Sequence, residues 1–360
     1  MKILYFVVPM LISLLLEFPL KTIARKLGLY AKENERTVHH GQIPRVGGIA
    51  IYIAFIVGVL LFIKDSITVR AFVIGGTIIF AEGLLDDIFD VSPLFKIVFQ
   101  FAAASVLVFM GNMNLRELRL PFNLIFNVNI LGYIITYLWI IGITNAVNLL
   151  DGLDGLAGGF CVITLITISL ISTTYNMYNV YMISMVLAGS TMGFLFHNFH
   201  PASIFMGDCG AQFLGFMIAA ISLYGYKSAT FITLAIPIIL LFVPIFDTFS
   251  AILRRKLNHQ PISSPDKKHF HHILMNNLSL GQTGATITIY IITAIFGITA
   301  YIYINNTTLG LLILLLLVMI FEIFIEYTGM ISTSYRPILN LLDKIAKKHY
   351  RAEDETKSDE

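Results

Sequence analysis

The chain has 360 residues, of which 57% are hydrophobic and 13% charged, with a mean hydropathy of +0.80 and a formal net charge of +2. A soluble domain averages roughly 45–50% apolar and about 25% charged residues, so this chain lacks the polar surface to cover its apolar bulk and lipid must be its solvent. The small net charge gives no basis for nucleic-acid binding, and the distant Cys161 and Cys209 read as buried apolar residues rather than as a disulfide or metal pair.

Crossing roughly 30 Å of hydrocarbon takes about 20 helical residues. Apolar segments of about that length fall near 3–20, 47–63, 70–85, 93–110, 129–144, 157–173, 180–196, 211–225, 229–252, 285–303 and 309–327. These eleven segments predict an all-α, polytopic integral membrane protein with its termini on opposite sides. Connections at 21–46, 86–96, 145–156, 197–210 and 254–284, with the tail from 328, hold 18 of the 24 Lys and Arg residues. That excess marks the cytoplasmic side, so the N-terminus is expected outside and the C-terminus inside. Residues 1–330 read as one transmembrane catalytic domain. Residues 331–360, ending RAEDETKSDE, read as a cytoplasmic, partly disordered tail.

Carboxylates in or beside membrane helices are costly and tend to serve function. Asp86, Asp87 and Asp90 close the third span in LLDDIFD; Asp151 and Asp154 follow the fifth in NAVNLLDGLDGLAGG; Asp208 follows the seventh in SIFMGDCGAQFLG. All lie on the side that the basic residues mark as cytoplasmic. On a helix Asp86 and Asp90 are four apart and Asp87 and Asp90 three, so they can share a face. Unneutralised, such groups repel and take up protons. Mg²⁺ relieves that repulsion through one or two carboxylates plus substrate phosphates, and Mn²⁺ is a substitute of the same oxygen-seeking kind.

Glycines around these acids, such as Gly152, Gly155, Gly207 and Gly210, let backbone N–H groups approach an anion. Asn145 and Asn148 add neutral donors and acceptors suited to a base or a sugar hydroxyl. In the loop 254–284, His269, His271 and His272 stand beside Lys267 and Lys268. No fourth ligand stands at zinc spacing, so HFHH reads as a group for anion binding or proton transfer. His39, His40 and Arg45 mark the mouth of the second span. Lys96 either snorkels or holds a phosphate. Asp247, inside the ninth span, is expected to face the bundle and pair with a basic group.

In this order, HHGQIPRVGG, LLDDIFD, NAVNLLDGLDGLAGG, SIFMGDCGAQFLG, PIFDTF and HFHH resemble the bacterial polyprenyl-phosphate N-acetylhexosamine-1-phosphate transferases. This is the MraY/WecA/TagO superfamily, glycosyltransferase family 4. The resemblance runs from residue 39 to about 284, and the span layout extends it over nearly the whole chain. It implies attack of a lipid phosphate oxygen on the β-phosphorus of a UDP-sugar, with UMP leaving and Mg²⁺ bridging the diphosphate. By the same resemblance Asp86 and Asp87 form the catalytic acidic pair, and Asp208 is a Mg²⁺ ligand together with that pair. Asn145, Asn148, Asp151 and Asp154 match nucleotide- and sugar-contacting residues. His269, His271 and His272 match the histidine motif near the pyrophosphate, while Lys96 and Arg45 are phosphate-binding candidates. Whether Asp86 or Asp87 activates the acceptor, in one step or through a covalent intermediate, stays open.

The HFHH order lacks the Glu of the muramyl branch (HHHFE), and PRVGG resembles the WecA/TagO branch. The expected donor is therefore UDP-GlcNAc and the expected acceptor undecaprenyl phosphate, at the inner membrane of a bacterium with the site facing the cytoplasm. The product would open teichoic acid or other envelope polysaccharide synthesis, and a homodimer is compatible with the sequence. The alternatives are an MraY-type phospho-N-acetylmuramoyl-pentapeptide transferase and a proton-coupled secondary transporter. A transporter places its carboxylates near the bilayer midplane and often shows internal repeats; here the acids gather at one boundary.

Overall fold

The computed structural model describes residues 2–30, 43–120, 124–228, 235–261, 268–332 and 336–342. His39, His40 and Lys267 lie outside these residues, as does the tail from 343. Chain order begins with α1 (Leu4–Leu27), α2 (Gly47–Phe62), α3 (Ile67–Phe89) and α4 (Pro93–Ser105), which ends in a π-helical turn, Val106–Met110. A short antiparallel hairpin follows, β1 (Glu117–Leu120) against β2 (Leu124–Asn127), with Glu117 opposite Asn127. Then come α5 (Asn129–Leu150), α6 (Leu156–Thr174), α7 (Tyr178–Asn198) and α8 (Gly207–Ser228). The last group is α9 (Ala235–Leu240), α10 (Phe242–Leu257), α11 (Phe270–Asn276), α12 (Gly281–Asn305) and α13 (Thr307–Thr328).

Among the described residues nine helices are long and apolar enough to cross a membrane, against the eleven spans expected from sequence. Two segments account for the difference. The helix α2 is apolar but only 16 residues long. The expected ninth span, 229–252, is not one continuous helix, because α9 and α10 meet at Leu241, whose φ of −103° and ψ of 19° are not helical. Pro244 explains the break: it has no N–H for the carbonyl four residues back, and its ring crowds that turn. The chain is an all-α, multi-pass membrane protein, with one small hairpin among the described residues.

Lipid exposure grades the helices. In its span α8 has 89% of its residues buried against protein, whereas α1 and α13 have 17% each. Leu312, Leu315, Leu316, Met319 and Ile320 of α13 are all more than half exposed, an arrangement stable only where hydrocarbon replaces water. The central helix packs on α3, α5 and α2. At Gly83 of α3 an added Cβ would come within 2.5 Å of the Cys209 Cα, so only glycine lets the end of α3 meet the start of α8. That close approach sets the two acidic motifs side by side.

Candidate active site

LLDDIFD ends α3 and at once turns the chain back. Asp90 takes a left-handed conformation (φ 57°) and closes the helix on the Asp86 carbonyl. Ser92 then caps α4, accepting from the Phe95 N–H at 3.3 Å, with Pro93 in the first turn. The tight reversal returns Lys96 to α3, where its ammonium pairs with Asp86. The other Asp86 oxygen accepts from the Val91 N–H at 3.0 Å. Lys96 also reaches Asp208 Oδ2 at 3.1 Å, so one cation joins two acidic motifs.

Asp87 does something different. Its carboxylate accepts from the N–H groups of Asp208 at 2.8 Å and Cys209 at 3.0 Å, capping the first turn of α8 from another helix. Gly207 permits this contact: it sits at φ 74°, and a Cβ there would lie 2.5 Å from Asp87 Oδ2. Arg45 completes the group, with Nε 3.2 Å from Asp87 Oδ1 and Nη2 2.7 Å from Asp208 Oδ1. Backbone pairing holds that arginine in place. Phe205 N–H donates to the Pro44 carbonyl at 2.8 Å, and Gly47 and Gly48 donate to the carbonyls of Phe205 and Met206. PRVGG and SIFMGD are therefore two edges of one structure. Burial works against the Arg45 charge, but Asp208, Asp87 and Asp151 outweigh it and raise its pKa further.

The α5–α6 turn adds the third motif. Asp151 is half-buried beside this cluster, and burial pushes its carboxyl up to about 7, against the pull of Arg45. Asp154 is 1% exposed and accepts from His200 Nδ1 at 2.8 Å and the Ala202 N–H at 3.0 Å, anchoring the α7–α8 connection. Asn148 is half-buried on the last turn of α5. Asn145 exchanges hydrogen bonds with Gln100, at 2.8 Å and 3.3 Å.

Histidines reach the same turn from α11. Asp247, as expected, faces inward and takes a basic partner: it accepts from His269 Nδ1 at 2.9 Å and from the Phe270 N–H at 2.8 Å. This fixes the start of α11 and stacks the rings of His269 and His271, with His272 next in line. His271 Nε2 stands 2.5 Å from where a Gly152 Cβ would be. Burial, helped by His272, pushes His271 down to about 3, so it is neutral.

The family described as Glycosyl transferase family 4 matches residues 69–226, which contain Asp86, Asp87, Lys96, Asn145, Asn148, Asp151, Asp154 and Asp208. A Bacillus subtilis (strain 168) protein named probable undecaprenyl-phosphate N-acetylglucosaminyl 1-phosphate transferase is 41% identical over 348 residues, covering 96% of this chain and 97% of that relative. The chain belongs to glycosyl transferase family 4. Decaprenyl-phosphate N-acetylglucosaminephosphotransferase of Mycobacterium tuberculosis (strain H37Rv) is 33% identical over 321 residues, 80% of this chain and 79% of that protein. Undecaprenyl-phosphate alpha-N-acetylglucosaminyl 1-phosphate transferase of Escherichia coli (strain K12) is 28% identical over 274 residues, 74% of each chain.

Within this glycosyl transferase, three carboxylates and two cations make a cluster that carries one net negative charge when all are ionised. Among the described residues no three Asp, Glu, His or Cys side chains form a ready metal cage. The donors at hand, Asp86 and Asp208, are hard oxygens joined through Lys96, and they fit an ion such as Mg²⁺ that keeps few protein ligands and arrives with phosphates. Sequence reasoning passed over several supports of the site. Gln100 and Gln212 lie buried on α4 and α8, His200 anchors Asp154, and Tyr290 of α12 donates to the Gly155 carbonyl. The i, i+4 spacing of Lys96 to Gln100 and of Asp208 to Gln212 is the signal that could have found the glutamines.

Proposed function

We propose that this glycosyl transferase moves N-acetylglucosamine 1-phosphate from UDP-GlcNAc to undecaprenyl phosphate at the cytoplasmic face of a bacterial plasma membrane. UMP leaves and undecaprenyl-diphosphate-GlcNAc remains in the bilayer, a starting unit for teichoic acid or another envelope polysaccharide. One observation carries the reading: Asp86, Asp87 and Asp208 converge with Lys96 and Arg45 at one end of the helix bundle. It is supported by the 41% identity over 96% of the chain to a relative named for this reaction.

In the reaction a lipid phosphate oxygen forms a bond to the β-phosphorus, and the bond from that phosphorus to the bridging oxygen breaks. UMP keeps that oxygen. Such transfers need positioning and charge neutralisation more than covalent machinery. Lys96 and Arg45 hold phosphate oxygens. Asp86 accepts or orients the acceptor's proton, a role that suits it better than Asp87: both Asp87 oxygens accept backbone N–H groups of α8, whereas one Asp86 oxygen accepts, among the described residues, only from the Lys96 ammonium, a phosphate-binding group. Asp208, with Asp86 and Asp87 nearby, would hold Mg²⁺, and the ion would supply charge neutralisation to the diphosphate. Asn145, Asn148, Asp151 and Asp154 shape the uridine and sugar site directly or by holding its walls. His269, His271 and His272 border the sugar and pyrophosphate.

The test is UMP release by purified protein given undecaprenyl phosphate, Mg²⁺ and a panel of UDP-sugars. Turnover of UDP-GlcNAc above UDP-GalNAc and UDP-glucose is expected. Turnover of UDP-muramyl-pentapeptide alone would overturn the proposal.

A further inference from the structure

Beneath the charged layer of the site lies a buried polar one. Asp86, Lys96 and Asp208 each have a polar residue four positions deeper on the same helix: Glu82 on α3, Gln100 on α4 and Gln212 on α8. Four residues are about one helical turn, so the second layer lies about 5–6 Å inward. Glu82 and Gln212 are fully buried and Gln100 is 1% exposed. Polar groups at that depth are costly unless they bond one another. The amides do: Gln100 Nε2 donates to Gln212 Oε1 at 3.0 Å and to Asn145 Oδ1 at 3.3 Å. Its Oε1 accepts from Asn145 Nδ2 at 2.8 Å. Among the described residues the Glu82 carboxyl and Gln212 Nε2 are buried without a hydrogen-bond partner, so the amide rung alone links the helices at this depth.

The helix α4 needs such a device. Leu94, Ile97, Val98 and Phe101 are half or more exposed, and apolar contact with lipid does not select one rotation of a helix over another. Its body packs on α3 and α5, while its polar links to α8 are Lys96 to Asp208 and Gln100 to Gln212. The charged link is the one that must loosen when phosphates enter. The amide link can stay.

We propose that Gln100 is a positioning residue: by bonding Gln212 and Asn145 it fixes the rotation of α4 against α8 and α5, and so sets Lys96 between Asp86 and Asp208. This rests on the reading that Lys96 meets the transferring phosphates. Asn145, assigned above to the nucleotide side, is then held by the same rung, which ties the phosphate end of the site to the uridine end.

The experiment is a double-variant cycle on UMP release at saturating UDP-GlcNAc and undecaprenyl phosphate. Gln100→Met, close in length but without hydrogen bonds, should lower kcat about tenfold, the scale of one or two lost buried bonds. Lys96→Arg keeps the charge and moves its head, so in that background Gln100→Met should cost less than about twofold. A purely structural role gives the same loss in both backgrounds, and that result overturns the proposal, as does a wild-type kcat for Gln100→Met. Folding is followed by elution profile and thermal midpoint in detergent. Where Gln100→Met does not fold, Gln212→Met takes its place in the cycle and the same outcomes decide. Wild-type turnover by Lys96→Ala would instead break the reading of the site itself, whatever the glutamines do.

Discussion

Asp87→Asn tests how the first turn of α8 is held. The carboxylate accepts from the Asp208 and Cys209 N–H groups at 2.8 and 3.0 Å and meets Arg45 at 3.2 Å. Its side chain is 5% exposed, so water screens little of this. An amide keeps one acceptor oxygen and turns an NH₂ group toward a donor. One charge-assisted bond is lost, about 1.5–3 kcal/mol. The helix dipole adds about 0.3–1 kcal/mol. The expected loss of stability is therefore about 2–4 kcal/mol. Asp208→Asn makes the contrast, because that side chain, though in the first turn of α8, pairs with Arg45 and Lys96 and does not accept from the α8 N–H groups. Both purified variants are unfolded in the same detergent, followed through Trp139 fluorescence, and assayed for UMP release. Both should lose turnover, and Asp87→Asn alone should unfold earlier by that margin. Equal unfolding of Asp87→Asn and wild type would refute the capping argument.

Gly152→Ala places a Cβ 2.5 Å from His271 Nε2; it should cost about 1–3 kcal/mol and slow UMP release, and an unchanged rate would disconnect that histidine from the site. Asp247→Asn keeps an acceptor for only one of its two buried donors, His269 Nδ1 and the Phe270 N–H, and turns an NH₂ toward the other; a loss of about 1–3 kcal/mol in the detergent unfolding assay is expected. His271 is pushed down to about 3 from an ordinary 6.5. The unfolded chain takes up that proton first, so the associated stability is complete above 6.5 and is lost as pH falls from there toward 3. Thermal midpoints against pH should show this slope in wild type and a shallower one in His271→Gln. Chelation should stop UMP release and Mg²⁺ or Mn²⁺ should restore it; turnover that persists in chelator would remove the metal from the proposal.

The acidic motifs are legible in the sequence because their cost is local. An Asp at the end of an apolar run needs a reason wherever the chain goes, and Asp86, Asp87, Asp151 and Asp208 all announce one. Asp247 is legible for the same reason, and its partner is the basic group that reasoning requires. What the sequence hides is which of two equivalent acids serves the backbone. Asp86 and Asp87 are neighbours of one type, yet only Asp87 caps α8, a distinction set by the packing of Gly83 on Cys209. Gln100 and Gln212 are hidden too, since a lone amide in an apolar helix gains meaning only when the facing helix is known. The break at Leu241 could be read from Pro244, but span length alone runs straight through it. The β1–β2 hairpin joins two apolar spans through four-residue segments, too short to carry a period that would separate strand from helix.

The central claim is that phosphorus moves from nucleotide to lipid with its sugar attached. UDP-GlcNAc carrying a radiolabelled β-phosphate, incubated with the purified protein, undecaprenyl phosphate and Mg²⁺, tests this most directly. The account predicts label in the lipid phase as undecaprenyl-diphosphate-GlcNAc and unlabelled UMP in the aqueous phase, in equal amounts. Label recovered in UDP, with sugar alone on the lipid, would contradict it.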